Sequence, residues 1–170
     1  MKFNMIKSAL VGSAILAVSF AASSAQAATS SATANATAKI ISAITVTKNT
    51  DLNFGTAVSN ATGGTVAVSN AVAATQTCVG VTCTGGGQTS AQFSISGAAA
   101  TTAVITVPTT AITLTSGANT MTALLTSSAP TLALLGTAAD AFQVGGTLTV
   151  GANQATGSYA GTFTVSVAYQ

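Results

Sequence analysis

The chain has no histidine, no tryptophan, no arginine and no glutamate, and charged residues make up only 4% of it, as four lysines and two aspartates. These absences exclude the Ser-His-Asp arrangement, paired-glutamate acid/base chemistry and histidine metal sites. Asp51 and Asp140 remain as carboxylates for an acid/base pair or an oxygen-ligand metal site. The simpler reading has Asp51 capping a turn beside Lys48, with Asp140 in a surface loop. Gly85-Gly86-Gly87 is followed by neither a lysine nor a helical pattern, both of which a phosphate loop needs, and it reads as a flexible hairpin tip. No catalytic residue, cofactor-binding residue or metal ligand is therefore assigned, and the expected protein is not an enzyme.

Charge is sparse and also balanced once the N-terminus is set aside. Lys2 and Lys7 flank an apolar run, Ser8 to Ala22, followed by the small-x-small site Ala25-Gln26-Ala27. This is the pattern of a secretory signal peptide over residues 1–27. The run is shorter than the roughly 20 residues that span a bilayer, and no later segment is long and apolar enough, so no transmembrane segment is expected after cleavage. The remaining charges, Lys39, Lys48, Asp51 and Asp140, cancel, which removes the electrostatic case for nucleic acid or an anionic membrane surface. With 48% hydrophobic residues the chain is the compositional opposite of a disordered one. The expected location is outside the cytoplasm of a bacterium: periplasm in transit, then cell surface or medium.

What is present is strand pattern. Alternating or β-branched runs recur at Gly64 to Ser69, Ser90 to Ser96, Ala103 to Val107, Ala111 to Thr115, Met121 to Leu125, Thr147 to Val150 and Tyr159 to Tyr169, separated by Gly, Ser, Asn and Pro. Runs of this length and spacing predict an all-β sandwich or barrel. Leu132 to Ala141 is the best helical candidate, yet it follows Pro130 and contains Gly136, so at most one turn is expected. In Leu52-Asn53-Phe54-Gly55 the expected roles are a buried ring for Phe54, a local backbone bond for Asn53 and a turn at Gly55. Cys78 and Cys83, the only cysteines, predict a local disulfide in an exported chain, while a lone pair makes a poor zinc site.

The two ends of the processed chain have complementary character. From Ala28 the even positions are apolar and mostly small (Ala32, Ala34, Ala36, Ala38, Ile40), with Thr, Ser, Asn or Lys between them. At the other end Tyr159, Phe163, Val165, Val167 and Tyr169 form an apolar row interrupted only by Gly161, and the chain stops at Gln170. A long, flat, uncharged terminal strand is the kind of sheet edge that soluble monomers protect. The first run reads as a donor strand and the second as its acceptor, one subunit completing the sheet of the next and building an open filament. The competing reading makes 28–38 a frayed leader, with the first strand starting at Ile40.

Ala38-Lys39-Ile40-Ile41, Ile44-Thr45-Val46, Leu52-Asn53-Phe54-Gly55-Thr56, Phe142-Gln143-Val144-Gly145-Gly146-Thr147-Leu148 and Gly157-Ser158-Tyr159-Ala160-Gly161-Thr162-Phe163 together resemble a family of secreted bacterial β-sandwich domains of unassigned function. That family is similar in outline to the spore coat protein U-like and archaic chaperone-usher pilins. The resemblance implies an immunoglobulin-like β-sandwich over 39–170, completed by strand donation where it is left incomplete, with 28–38 as the N-terminal extension. It implies a fibre or coat subunit whose partners are copies of itself, with a periplasmic chaperone and an outer-membrane usher as further candidates. A monomeric extracellular binding module on the same fold is the alternative. An eight-stranded outer-membrane barrel is disfavoured, because the strands are short and too few aromatics remain for girdles.

Overall fold

A computed structural model describes residues 29–137 and 139–170. The expected signal peptide and Ala28 lie outside the described residues. The chain divides into two units, Met1–Ala38 and Lys39–Gln170. In the first, residues 29–38 are exposed and carry no strand or helix. The second is all-β, with twelve strands and no helix among the described residues: β1 (Thr45–Thr50), β2 (Ala57–Val58), β3 (Gly64–Val68), β4 (Gln76–Val79), β5 (Thr82–Cys83), β6 (Ala91–Ser96), β7 (Thr101–Thr106), β8 (Ile112–Ser116), β9 (Asn119–Ser127), β10 (Thr131–Leu134), β11 (Ala141–Val150) and β12 (Ser166–Tyr169).

The organising element is β11. Val144 pairs with both Ala91 of β6 and Ser127 of β9, and Gly146 pairs with both Val68 of β3 and Leu125 of β9. A strand has only two edges, so β9 occupies one of them while β6 and β3 follow each other along the other. The resulting sheet has seven antiparallel strands, running β1-β6-β11-β3-β4 with β9 and β8 joined through β11. Where β3 gives way to β6, the backbone of 68–70 crowds the strand. A Cβ on Gly145 would collide with the Val68 carbonyl oxygen and lie 2.6 Å from the Asn70 nitrogen, and one on Gly146 would lie 2.6 Å from the Leu124 oxygen. The Gly-Gly pair is thus demanded by space.

Two cores follow from this curl. In the first, the β1-β6-β11 half packs against a three-stranded sheet, β10-β7-β12, and buries Phe93, Ile95, Ile105, Leu134, Phe142 and Val144. Phe93 and Phe142 stack with ring centroids 5.2 Å apart, and Phe163 meets Phe93 edge-on at 6.3 Å, both favoured aromatic geometries. In the second, the β3-β9-β8 half curls around Phe54, Val66, Val68, Leu148 and Val150. Its cover is slight: the segment 52–59, the two-stranded pair β2-β5 and the loop 151–159.

Several expectations are corrected. The first strand begins at Thr45, and Ile40 is 94% exposed. The helical candidate is instead strand β10 followed by a turn at Gly136, whose φ of 73° a glycine accepts without strain. Gly85-Gly86-Gly87 is not a hairpin tip, because it links β5 in the small sheet to β6 in the large one. The terminal run is ladder-paired only over β12. It begins beside β8 through a bridge between Ala160 and Thr115 and ends beside β7, so it changes sheets midway.

Candidate functional site

The terminal run keeps its alternation beyond its four-residue ladder. From Phe163 to Tyr169 the odd positions are half-buried and the even ones exposed, and Phe163, Val165, Val167 and Tyr169 pack against the first core. Main-chain bonding follows the same parity. Ala160 exchanges both backbone bonds with Thr115, at 2.8 and 3.0 Å, and the Gln170 N–H donates to the Thr102 carbonyl at 2.9 Å. In an extended strand all even residues present N–H and C=O to one edge and all odd residues to the other. The even edge therefore faces β8 and then β7, leaving the odd edge outward from Tyr159 to Tyr169. Among the described residues, no backbone group of these odd positions bonds to another backbone group. All five residues of the expected acceptor row, Tyr159, Phe163, Val165, Val167 and Tyr169, lie on this edge.

The expected donor residues are placed in the open. Ala32, Ala34, Ala36, Ala38 and Ile40 fall in residues 29–43, all exposed and without secondary structure. The chain is tied down just after them. The Tyr169 hydroxyl donates to the Ser42 carbonyl at 2.8 Å and accepts the Ala98 N–H at 2.7 Å. Gly97 makes room for this arrangement, since a Cβ there would stand 2.8 Å from the Tyr169 hydroxyl.

Tyr159, at the far end of the edge, also lines a cleft of about 770 Å³ over the second core. One wall is the Leu52-Asn53-Phe54-Gly55-Thr56 stretch continued to Ser59, and the other is Gln154 to Tyr159. The floor is apolar: Val66, Leu114, Met121, Leu148 and Val150. No charged residue lines it. The walls meet where the Ser59 hydroxyl donates to the Gln154 carbonyl at 2.9 Å. Gln154 holds the second wall in shape, its amide donating to the Tyr159 hydroxyl at 2.7 Å, while that hydroxyl donates to the Ala155 carbonyl at 2.8 Å. The sequence reading missed the cleft. Its signal was there in the Leu-Asn-Phe-Gly and Gly-Ser-Tyr strings, but nothing local shows that they face one another.

Phe54 is buried, the Asn53 side chain accepts the Gly55 N–H at 2.8 Å, and Gly55 turns with φ 74°, as expected. Cys78 and Cys83 form the expected disulfide, with Cα atoms 5.8 Å apart, and this fits an oxidising compartment. Lys48 pairs with Asp51 at 2.5 Å on the surface. Asp140 departs from expectation, being only 2% exposed. Its carboxylate accepts the N–H groups of Leu135, Gly136 and Thr137 at 2.8 to 3.3 Å and closes the turn after β10. The Leu135 N–H lowers its pKa most; burial pushes the other way, and the Gly136 and Thr137 N–H groups restore the downward direction. Among the described residues no group of three His, Cys, Asp or Glu side chains could hold a metal, and no helix is long and apolar enough to cross a membrane.

A family model described as a domain of unknown function (DUF4402) matches residues 44–169. No curated protein and no solved structure matches the chain.

Proposed function

The chain belongs to the family described as a domain of unknown function (DUF4402), and from that premise we propose that it is an exported, non-catalytic structural subunit that polymerises with copies of itself. The run containing Ala32, Ala34, Ala36, Ala38 and Ile40 of one subunit lies along the outward edge of Tyr159 to Tyr169 in the next. The observation that carries this reading is that edge: a row of odd-numbered residues without backbone partners among the described residues, backed by half-buried Phe163, Val165, Val167 and Tyr169. An unprotected apolar edge of this kind is a template for another strand. Repeating the contact head to tail gives a filament, because the interface is heterologous and does not close.

Energetics assign the work to side chains. Each main-chain bond contributes about 0.5–1.5 kcal/mol net, and ordering each residue of a free terminus costs about 1–2 kcal/mol. The surplus must come from covering the apolar row, at about 25 cal/mol per Å². The motif likeness to spore coat protein U-like and chaperone-usher pilins points the same way. It makes a periplasmic chaperone and an outer-membrane usher the natural handling partners and the bacterial surface the destination.

The test is a truncation pair, the chain from Ala28 and the chain from Lys39, examined by size exclusion and negative-stain electron microscopy. Both cores lie within 39–170, so the shorter chain keeps its fold. Filaments or ladders from the longer form alone support assembly. Two compact monomers of equal thermal stability favour a monomeric binding module, for which the uncharged cleft would be the site.

A further inference from the structure

We infer that the cleft over the second core is an anchor pocket for Ile40 of a second copy, and that it sets the direction of the donated strand antiparallel to the terminal run. The inference rests on the strand-donation reading above. The outward edge ends at Tyr159, and Tyr159 is also a wall of the cleft, so edge and cleft form one continuous track. Along the edge the half-buried Phe163, Val165 and Val167 leave little depth and suit alanine partners. The cleft is different, with about 770 Å³ above the apolar Val66, Leu114, Met121, Leu148 and Val150, and it suits a larger side chain. Within the alternating run the one large side chain in register with the alanines is Ile40, 94% exposed in its own subunit.

Spacing agrees. With Ile40 in the cleft beside Tyr159, a step of two per pair sets Ala38 against Gly161, Ala36 against Phe163, Ala34 against Val165 and Ala32 against Val167. Small residues then meet the bulky row. The opposite direction would leave the cleft to the tip of the run, where only serine, threonine and alanine are present.

The occupant must come from another copy. Ser42 is held by Tyr169, at the far end of the edge from the cleft. Ile40 is two residues from Ser42, a reach of at most about 7 Å. Tyr159 and Tyr169 are ten residues apart in an extended run, about 30 Å at 3.3 Å per residue. A subunit's own Ile40 therefore cannot fill its own cleft. Charge places no obstacle, since the cleft lining is uncharged and the run carries no charge before Lys39.

The test uses the full chain, exported and assembled from a mixture of isotopically labelled and unlabelled copies. A photo-crosslinking residue is placed at Val58, an exposed wall position of the cleft, or at Ala168, an exposed position on β12. Trypsin cuts after Lys39 and so separates the two ends of the donor. The inference expects Val58 to capture the peptide beginning at Ile40 from a neighbouring copy and Ala168 to capture the peptide ending at Lys39. Capture of the peptide ending at Lys39 at Val58 would reverse the direction and overturn the inference. Capture at Ala168 with none at Val58 would also overturn it, while leaving strand donation standing; chains that never assemble would bring down both. Ile40→Ser is expected to raise the critical concentration roughly tenfold or more, from the lost burial of one aliphatic side chain, with the melting temperature of the subunit unchanged. Ile40→Leu should restore assembly, and an unaltered critical concentration in Ile40→Ser would contradict the pocket.

Discussion

The two cores of this domain are built to different standards. The first lies between two sheets, with Phe93 in contact with both Phe142 and Phe163, and with Val144 and Ala103 fully buried. The second has a sheet on one side and, on the other, only loops, a two-residue strand pair and a six-residue disulfide loop, and it keeps a cleft open. Packing is closest where sheet meets sheet, and an open apolar cleft is left where the cover is thin. The outward edge joins these regions, starting at the cleft and ending beside the first core.

The sharpest way to break this contrast is a pair of truncations. Phe142→Ala removes a 1% exposed ring from the stack and should cost about 3–5 kcal/mol of unfolding free energy, whereas Leu148→Ala, on the cleft floor, should fall near the low end of the usual range, about 2 kcal/mol, because the site is already open. Denaturant melts of the two variants decide it, and equal losses would mean that the second core is as well packed as the first. Replacing Cys78 and Cys83 by serine should cost about 2 kcal/mol for so short a loop, with faster hydrogen exchange confined to β2, β4 and β5. Loss of protection in β6 or β7 would show that the cores are not independent. Tyr169→Phe should cost about 1 kcal/mol and release the chain around Ser42, read as faster exchange at Ala98, whose N–H the hydroxyl accepts.

Asp140 offers the smallest effect and the most specific one. Its folded pKa is lowered, so its contribution is fully present above the ordinary carboxylate pKa of about 3.9 and is lost as pH falls through the lower folded value. The melting temperature of the native chain should drop below about pH 4. Asp140→Asn should flatten that drop. An unchanged acid profile in Asp140→Asn would show that this turn does not couple to global stability.

Much of the fold was legible because alternation reports directly on half-buried strands: the runs at 64–69, 90–96, 103–107, 111–115 and 121–125 all fall on strands β3 and β6 to β9. The buried Phe54, the Gly55 turn and the disulfide followed from local chemistry. The misses share one cause. Thr147 to Val150 showed only the end of β11, because Gly145 and Gly146 break the apolar pattern, and they are there to admit backbone from outside the strand. Asp140 looked like a surface residue because nothing in sequence announces three N–H groups converging on it. The terminal run kept its alternation while changing partners from β8 to β7, so periodicity revealed its inward face but not its incomplete ladder. The cleft was invisible because its walls are about a hundred residues apart in the chain.

The central claim is that the odd edge of Tyr159 to Tyr169 is open in the single subunit and closed by a neighbour in the assembly. Residue-resolved hydrogen exchange on the monomeric and assembled chain tests it most directly, at the amides of Gly161, Phe163, Val165 and Val167. The account predicts fast exchange in the monomer and strong protection after assembly, with the even amide of Ala168 protected in both. Amides equally protected in the monomer, or equally fast in the assembly, would contradict it.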